Sequence, residues 1–182
     1  MNDIFYHCSK KKINKLVNRN QENYYLKPLG IWISKSDNWI YYVKKTKLPH
    51  KCTYKYQVRL NKTNNLKKNN KKVLIIKSEK MLNEFTFKYG YSSNHGKEFK
   101  LDWGDLIYIG IKWYEVSNDY AGVFVENIQS KLVPTEEIKK KFKIKEEKIG
   151  KYMSMMWTYG WDVDSGCIWD PDSIKEFILV KK

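Results

Sequence analysis

Apolar and polar residues alternate most clearly over 54–60, where Tyr54, Tyr56, Val58 and Leu60 fall on one side and Lys55, Gln57 and Arg59 on the other. A period of two predicts a strand with one buried face over 53–60. Shorter apolar runs predict strands at 3–9, 29–34, 73–77, 120–125 and 177–180. Helical spacing lies between them. Ser9 is placed to cap a short basic helix over 10–17, with Ile13, Leu16 and Val17 on one face. Ser36 or Asp37 is placed to cap a helix carrying Trp39, Ile40, Tyr42 and Val43, and Ser78 opens one that runs to Tyr89. Pro134, Thr135, Glu136 and Glu137 start another, with acidic residues at its positive end and lysines from Lys139 onward at the other. An amphipathic segment over 102–117 (Trp103, Leu106, Ile107, Trp113, Tyr114) reads as partly helical, and 18–27, 61–72 and 91–97 read as loops. Short strands irregularly interrupted by helices predict an α+β fold. It is a single domain over 1–182, with a short-stranded split antiparallel sheet and flanking helices rather than a doubly wound one.

Composition narrows the class. A chain of 182 residues with 42% hydrophobic and 15% aromatic residues carries enough large apolar surface for a core of its own. No apolar run approaches a membrane span, and the first residues reach Lys10, Lys11 and Lys12 without the apolar stretch of a signal peptide, so an intracellular protein is expected, cytosolic or nuclear. Cys8, Cys52 and Cys167 lack metal-ligand or paired spacing and are expected to be free, mostly buried thiols; His7, His50 and His95 stand alone, so no metal site is expected. The net charge is +15, and Arg19 and Arg59 are the only arginines. Such a charge suits a nucleic-acid partner, and the lysine bias of an AT-rich gene would produce it equally well; patch geometry decides between them. Glycine patterns for a P-loop or a Rossmann turn are absent.

Three separated stretches carry a likeness. Phe5-Tyr6-His7-Cys8-Ser9 is similar to a strand ending in His-Gly-Ser. Gly30-Ile31-Trp32-Ile33-Ser34, followed by Lys35-Ser36-Asp37-Asn38-Trp39, resembles a Gly-Ile-Tyr-Phe-Ala strand followed by a Ser-x-x-Tyr helix. Gly166-Cys167-Ile168-Trp169-Asp170, leading into 173–179, is arranged like a closing strand pair. In that order and at that approximate spacing, the three resemble the ADP-ribosyltransferase fold in its poly(ADP-ribose) polymerase and diphtheria-toxin branch.

The resemblance implies NAD as substrate and a role for each matching position. Trp32 and Trp39 would wall the nicotinamide ring, His7 would hydrogen-bond the adenosine ribose, the Cys8 backbone and Ser36 hydroxyl would hold the carboxamide, and Ser9 would contact the ribose region. The candidate catalytic residues are His7 and Asp164, the latter standing where many members have a glutamate that stabilises the cationic ribose of the transition state. This chain departs from the pattern in having Cys8 for glycine and Asp164-Ser165-Gly166 in place of the glutamate. Glu126 and Glu115 are other carboxylates that would approach from elsewhere. Without the glutamate three options stand: single ADP-ribose transfer to a nucleic-acid or protein acceptor, a sister reaction of the tRNA 2′-phosphotransferase type, or binding alone. Outside the resemblance, His7, Trp32 and Trp39 read as core residues, and the whole chain reads as a non-enzymatic basic RNA- or DNA-binding module. The observation that separates these readings is whether His7, Trp32, Trp39 and Asp164 line one cleft.

Overall fold

The period-two segment forms β3 (Tyr54–Leu60), with Tyr56 and Val58 buried as the alternation requires. The computed structural model describes residues 4–23, 26–49, 52–61, 71–94, 107–126, 134–143, 156–158 and 161–181, and β3 is one of nine strands among these described residues. Along the chain run β1 (Phe5–Ser9), β2 (Ile31–Lys35), α1 (Asn38–Thr46), β3, β4 (Val73–Ile76) and α2 (Glu79–Tyr89). They are followed by β5 (Gly90–Asn94), β6 (Ile107–Ile111), α3 (Trp113–Asp119), β7 (Gly122–Val125), α4 (Glu136–Lys141), β8 (Ser165–Ile168) and β9 (Ile174–Lys181). Seven strands make one sheet in the order β4-β7-β8-β2-β1-β3-β9, and β5 and β6 pair as a separate antiparallel ribbon.

The α+β class holds, with one correction to the sheet: β4 and β7 run parallel, so the sheet is mixed. A parallel pair needs a crossover, and α2, the β5–β6 ribbon and α3 lie between the two strands in sequence. Two apolar clusters form the core. Phe5, Ile33, Val58, Phe124 and Ile168 make the smaller one. The larger gathers Ile76, Val123 and Val125 from the sheet, Leu82 and Phe85 from α2, and the indoles of Trp113, Trp157, Trp161 and Trp169. Trp113 and Trp157 are fully buried and meet edge to face at 6.2 Å, the arrangement their ring quadrupoles favour.

Two helix starts are capped as their sequences predict: Ser78 Oγ accepts from the Met81 amide at 3.3 Å and Thr135 Oγ from the Ile138 amide at 3.4 Å. Asp37 occupies the N-cap position of α1 without a side-chain cap, because its carboxylate pairs with Lys55 at 2.5 Å. The predicted helix over 10–17 does not form. Its successive lysines repel, and the segment is instead irregular, tied to β3 by the Ile13 amide donating to Tyr56 Oη at 2.8 Å, while Ser9 turns its hydroxyl onto Lys11. Residues 91–94, read as loop, are the rest of β5, and 107–111, read within a partly helical segment, are β6; α3 takes up the remainder. The expected loop at 61–72 falls largely outside the described residues, as do Trp103 and Leu106. Among the described residues no helix is long and apolar enough to cross a membrane.

Cys8 and Cys52 form a disulfide, with Cα atoms 5.0 Å apart, which corrects the expectation of three free thiols; Cys167 alone is free, and buried. Strand register brings the pair together, since Cys8 stands opposite Lys55 and Cys52 lies three residues before it. Closing a loop over a separation of 44 residues restricts the unfolded chain by about 4 kcal/mol on the chain-entropy model. Reductant is therefore expected to lower the urea midpoint of the native chain, and Cys52→Ala to lower it as far and abolish the response to reductant. Equal midpoints for all of these would show that the bond contributes nothing.

Candidate functional site

Strands β1 and β2 pair at Phe5 with Lys35 and at Tyr6 with Ser34, and there the ladder stops. From His7 onward β1 follows β3, placing His7, Cys8 and Ser9 opposite Tyr56, Lys55 and Tyr54. β2 meanwhile follows β8, from Ser34 opposite Ser165 to Ile31 opposite Ile168. The sheet is thus split between two neighbouring strands. His7 crosses the split: its Nδ1 lies 2.7 Å from the Trp32 carbonyl oxygen. A carbonyl only accepts, so Nδ1 carries the proton, and in the neutral ring Nε2 carries the lone pair.

A cleft of about 430 Å³ opens along this split. His7 and Cys8 of β1, Trp32 and Ser34 of β2, Trp39 of α1 and Ser165 of β8 line it. Gly30 sets the entry into β2: a Cβ there would meet the carbonyl oxygen of Ile168 and lie 2.8 Å from Cys167 Sγ. Both aromatic walls are backed by further rings, Trp32 by Trp161 at 4.9 Å and Trp39 by Tyr42 at 5.8 Å and nearly parallel. The backing fixes each indole before any ligand arrives.

Four of the sequence-predicted residues, His7, Cys8, Trp32 and Trp39, therefore share one cleft. Ser9, Ser36 and Asp164 are not among its lining residues. Ser36 is exposed in the turn before α1, with φ of 50°. Asp164 ends the turn before β8 and accepts the Lys35 amide on its carbonyl at 3.1 Å; the next residue, Ser165, is the one that faces the cleft, with its Oγ donating to the Val163 carbonyl at 2.8 Å. Glu126 follows β7 directly. Since Val125 pairs with Ser165, Glu126 and Asp164 come at adjoining strand ends, where Glu126 meets Lys35 at 3.5 Å. Glu115 is on α3, bound to Lys112 at 2.9 Å.

Sequence reasoning missed Lys27. This side chain lines the cleft with its Nζ 4.9 Å from the centroid of Trp32 and 4.7 Å from that of Trp161. Burial lowers its ammonium pKa to about 8, against a partial upward pull from Asp162. Burial also pushes the Cys167 thiol far up, so that sulfur is uncharged at neutral pH and gives the ammonium no support. The segment carrying Lys27 is held by Gln21, a second residue the sequence did not single out. Gln21 is 4% exposed; its amide oxygen accepts the Leu29 amide at 2.9 Å and its nitrogen donates to the Leu29 carbonyl at 2.7 Å. In sequence, Lys27 is one lysine in a chain with 35 basic residues, and its only signal is its place just before Pro28 and β2.

Comparison with known protein families, with curated proteins and with solved structures finds no match for this chain.

Lys27→Met keeps the apolar stem and removes the desolvated charge. At pH 7 the variant is expected to melt higher than the native chain, by about 2–4 °C for each kcal/mol relieved. The native chain gains stability as pH rises from about 8 toward 10.5, because the unfolded chain still holds the proton there and the folded one does not. The advantage of the variant should shrink across that window. A lower melting temperature for Lys27→Met at pH 7 would mean that the two indoles hold the ammonium better than water does.

Proposed function

We propose that the cleft binds NAD and that the chain is a mono-ADP-ribosyltransferase-like enzyme acting on a nucleic-acid or protein acceptor. One observation carries the reading. Two of the stretches that resemble the ADP-ribosyltransferase pattern are far apart in sequence and fold into the adjacent strands β1 and β2, bringing His7, Cys8, Trp32 and Trp39 to one aromatic cleft; of the third, β8 lies beside β2 and begins with the cleft-lining Ser165, while 174–179 belongs to β9 at the far edge of the sheet.

In this reading Trp32 and Trp39 flank the nicotinamide ring, and strand edges released by the split offer backbone groups to its carboxamide. The bond between the nicotinamide nitrogen and ribose C1′ breaks with its electron pair leaving on nicotinamide, and the cationic ribose is captured by an acceptor nucleophile that gives up a proton. Asp164 adjoins the cleft-facing Ser165 in sequence, and Glu126 comes beside it at the end of β7 by strand register. Either one must turn toward the ribose to stabilise its charge, so turnover should be slow. The irregular segment beyond Ser9 leaves Lys10, Lys11, Lys12 and Lys15 exposed, a surface suited to an anionic acceptor. The same surface would serve a non-enzymatic RNA- or DNA-binding module.

Purified protein incubated with NAD should release nicotinamide, faster when RNA, DNA or an acidic protein is added as acceptor. His7→Ala and Trp39→Ala should each reduce release about tenfold or more, a loss of at least about 1.4 kcal/mol of transition-state stabilisation. Nucleic-acid binding with neither NAD binding nor nicotinamide release would reject the transferase in favour of the binding module.

A further inference from the structure

Among the described residues, Lys27 is the one lysine or arginine lining the cleft, and no carboxylate lies within ion-pairing distance of it. Two indole faces attract an ammonium, but not enough to offset its desolvation, which still lowers its pKa. Asp162, exposed in the turn before β8, offsets only part of the desolvation, Cys167 is a neutral thiol, and Tyr6 and His7 on β1 and Ser34 on β2 carry no carboxylate. The backbone next to Lys27 is fixed, since Gln21 clamps Leu29 and Pro28 is buried against Cys167, whose Sγ donates to the Pro28 carbonyl at 3.6 Å. A partly desolvated ammonium laid over the Trp32 wall of the cleft and its backing ring Trp161 is what a ligand carrying both a flat ring and an anion would complete.

We propose that Lys27 recognises a phosphate or pyrophosphate group, which makes the cleft selective for phosphorylated ligands of an aromatic heterocycle. This rests on the NAD reading for the identity of the ring and not for the anion. Lysine binds phosphate as a point charge, so an arginine that reaches the same place keeps the function while an apolar isostere loses it.

Calorimetric titration with inorganic pyrophosphate, with nicotinamide riboside, which has no phosphate, and with NAD, of the native chain, Lys27→Met and Lys27→Arg, tests the proposal. The methionine variant should abolish pyrophosphate binding, weaken NAD by about tenfold to a hundredfold as expected for one charged hydrogen bond, and leave nicotinamide riboside unchanged. The arginine variant should retain both anionic ligands. Native affinity for NAD should also fall between pH 7 and pH 9 as the ammonium deprotonates, and that of Lys27→Arg should not. Equal weakening of nicotinamide riboside and NAD, or pyrophosphate binding untouched by Lys27→Met, would overturn the assignment. Pyrophosphate held through Lys27 by a chain that does not bind NAD would remove the NAD reading and leave the anion site standing. NAD bound equally by the native chain and Lys27→Met would do the reverse, and a native chain that takes none of the three would end both.

Discussion

Everything proposed for this molecule depends on a backbone ladder that stops after two residue pairs. Backbone amides and carbonyls inside a sheet must find partners, and a strand parted from its neighbour leaves such groups facing a gap. Here β1 stays with β3 and β2 stays with β8, so each strand keeps one ladder and only the shared edge is released. The His7 ring spans that edge and the Cys8–Cys52 bond ties β1 to the chain entering β3, which holds the split open on the β3 side. A gap edged by peptide groups and walled by indoles is suited to a flat ligand that also hydrogen-bonds.

Two forces then work against each other inside the gap. The indoles of Trp32, Trp161, Trp113 and Trp169 form a chain of ring contacts from the cleft into the main core, and this packing stabilises the domain. Lys27, laid on the cleft end of that chain, carries a charge that the same dry surroundings disfavour. Strain of this kind, unpaired charge on a rigid aromatic base, is tolerated where binding relieves it. Stability elsewhere is ordinary in origin: capped starts of α2 and α4, alternation in β3, and the Lys88–Asp119 pair with Tyr89 Oη also on that carboxylate, joining α2 to α3.

Much of this was legible in the sequence where one local rule dominated. Ser78 and Thr135 announced their helices, and the alternation of 54–60 announced β3, because capping and period-two burial act over a few neighbouring residues. The helix expected over 10–17 failed because a three-residue apolar pattern there competes with clustered like charge and with a long-range bond from Ile13 to Tyr56. Residues 91–94 pair across to β6, a partner no local signal reveals. At the cleft, His7 and Cys8 of β1, Trp32 of β2 and Trp39 in the first turn of α1 come together because they lie on or just after adjacent strands. Ser36 and Asp164 sit in turns, where a one-residue shift turns a side chain from the cleft to solvent. The disulfide was hidden because spacing says nothing about strand register. It also bears on where the protein works, since an oxidising compartment would preserve the bond and a reducing one would favour the open thiols.

Amide hydrogen exchange with and without NAD is the most direct test that the split is a binding edge. The account predicts that slowing on addition of NAD concentrates at residues 7–9 and 30–34, the two sides of the parted ladder, while the β3–β9 and β4–β7 ladders exchange as before. Slowing confined to other surfaces, or no change at saturating NAD, would contradict it.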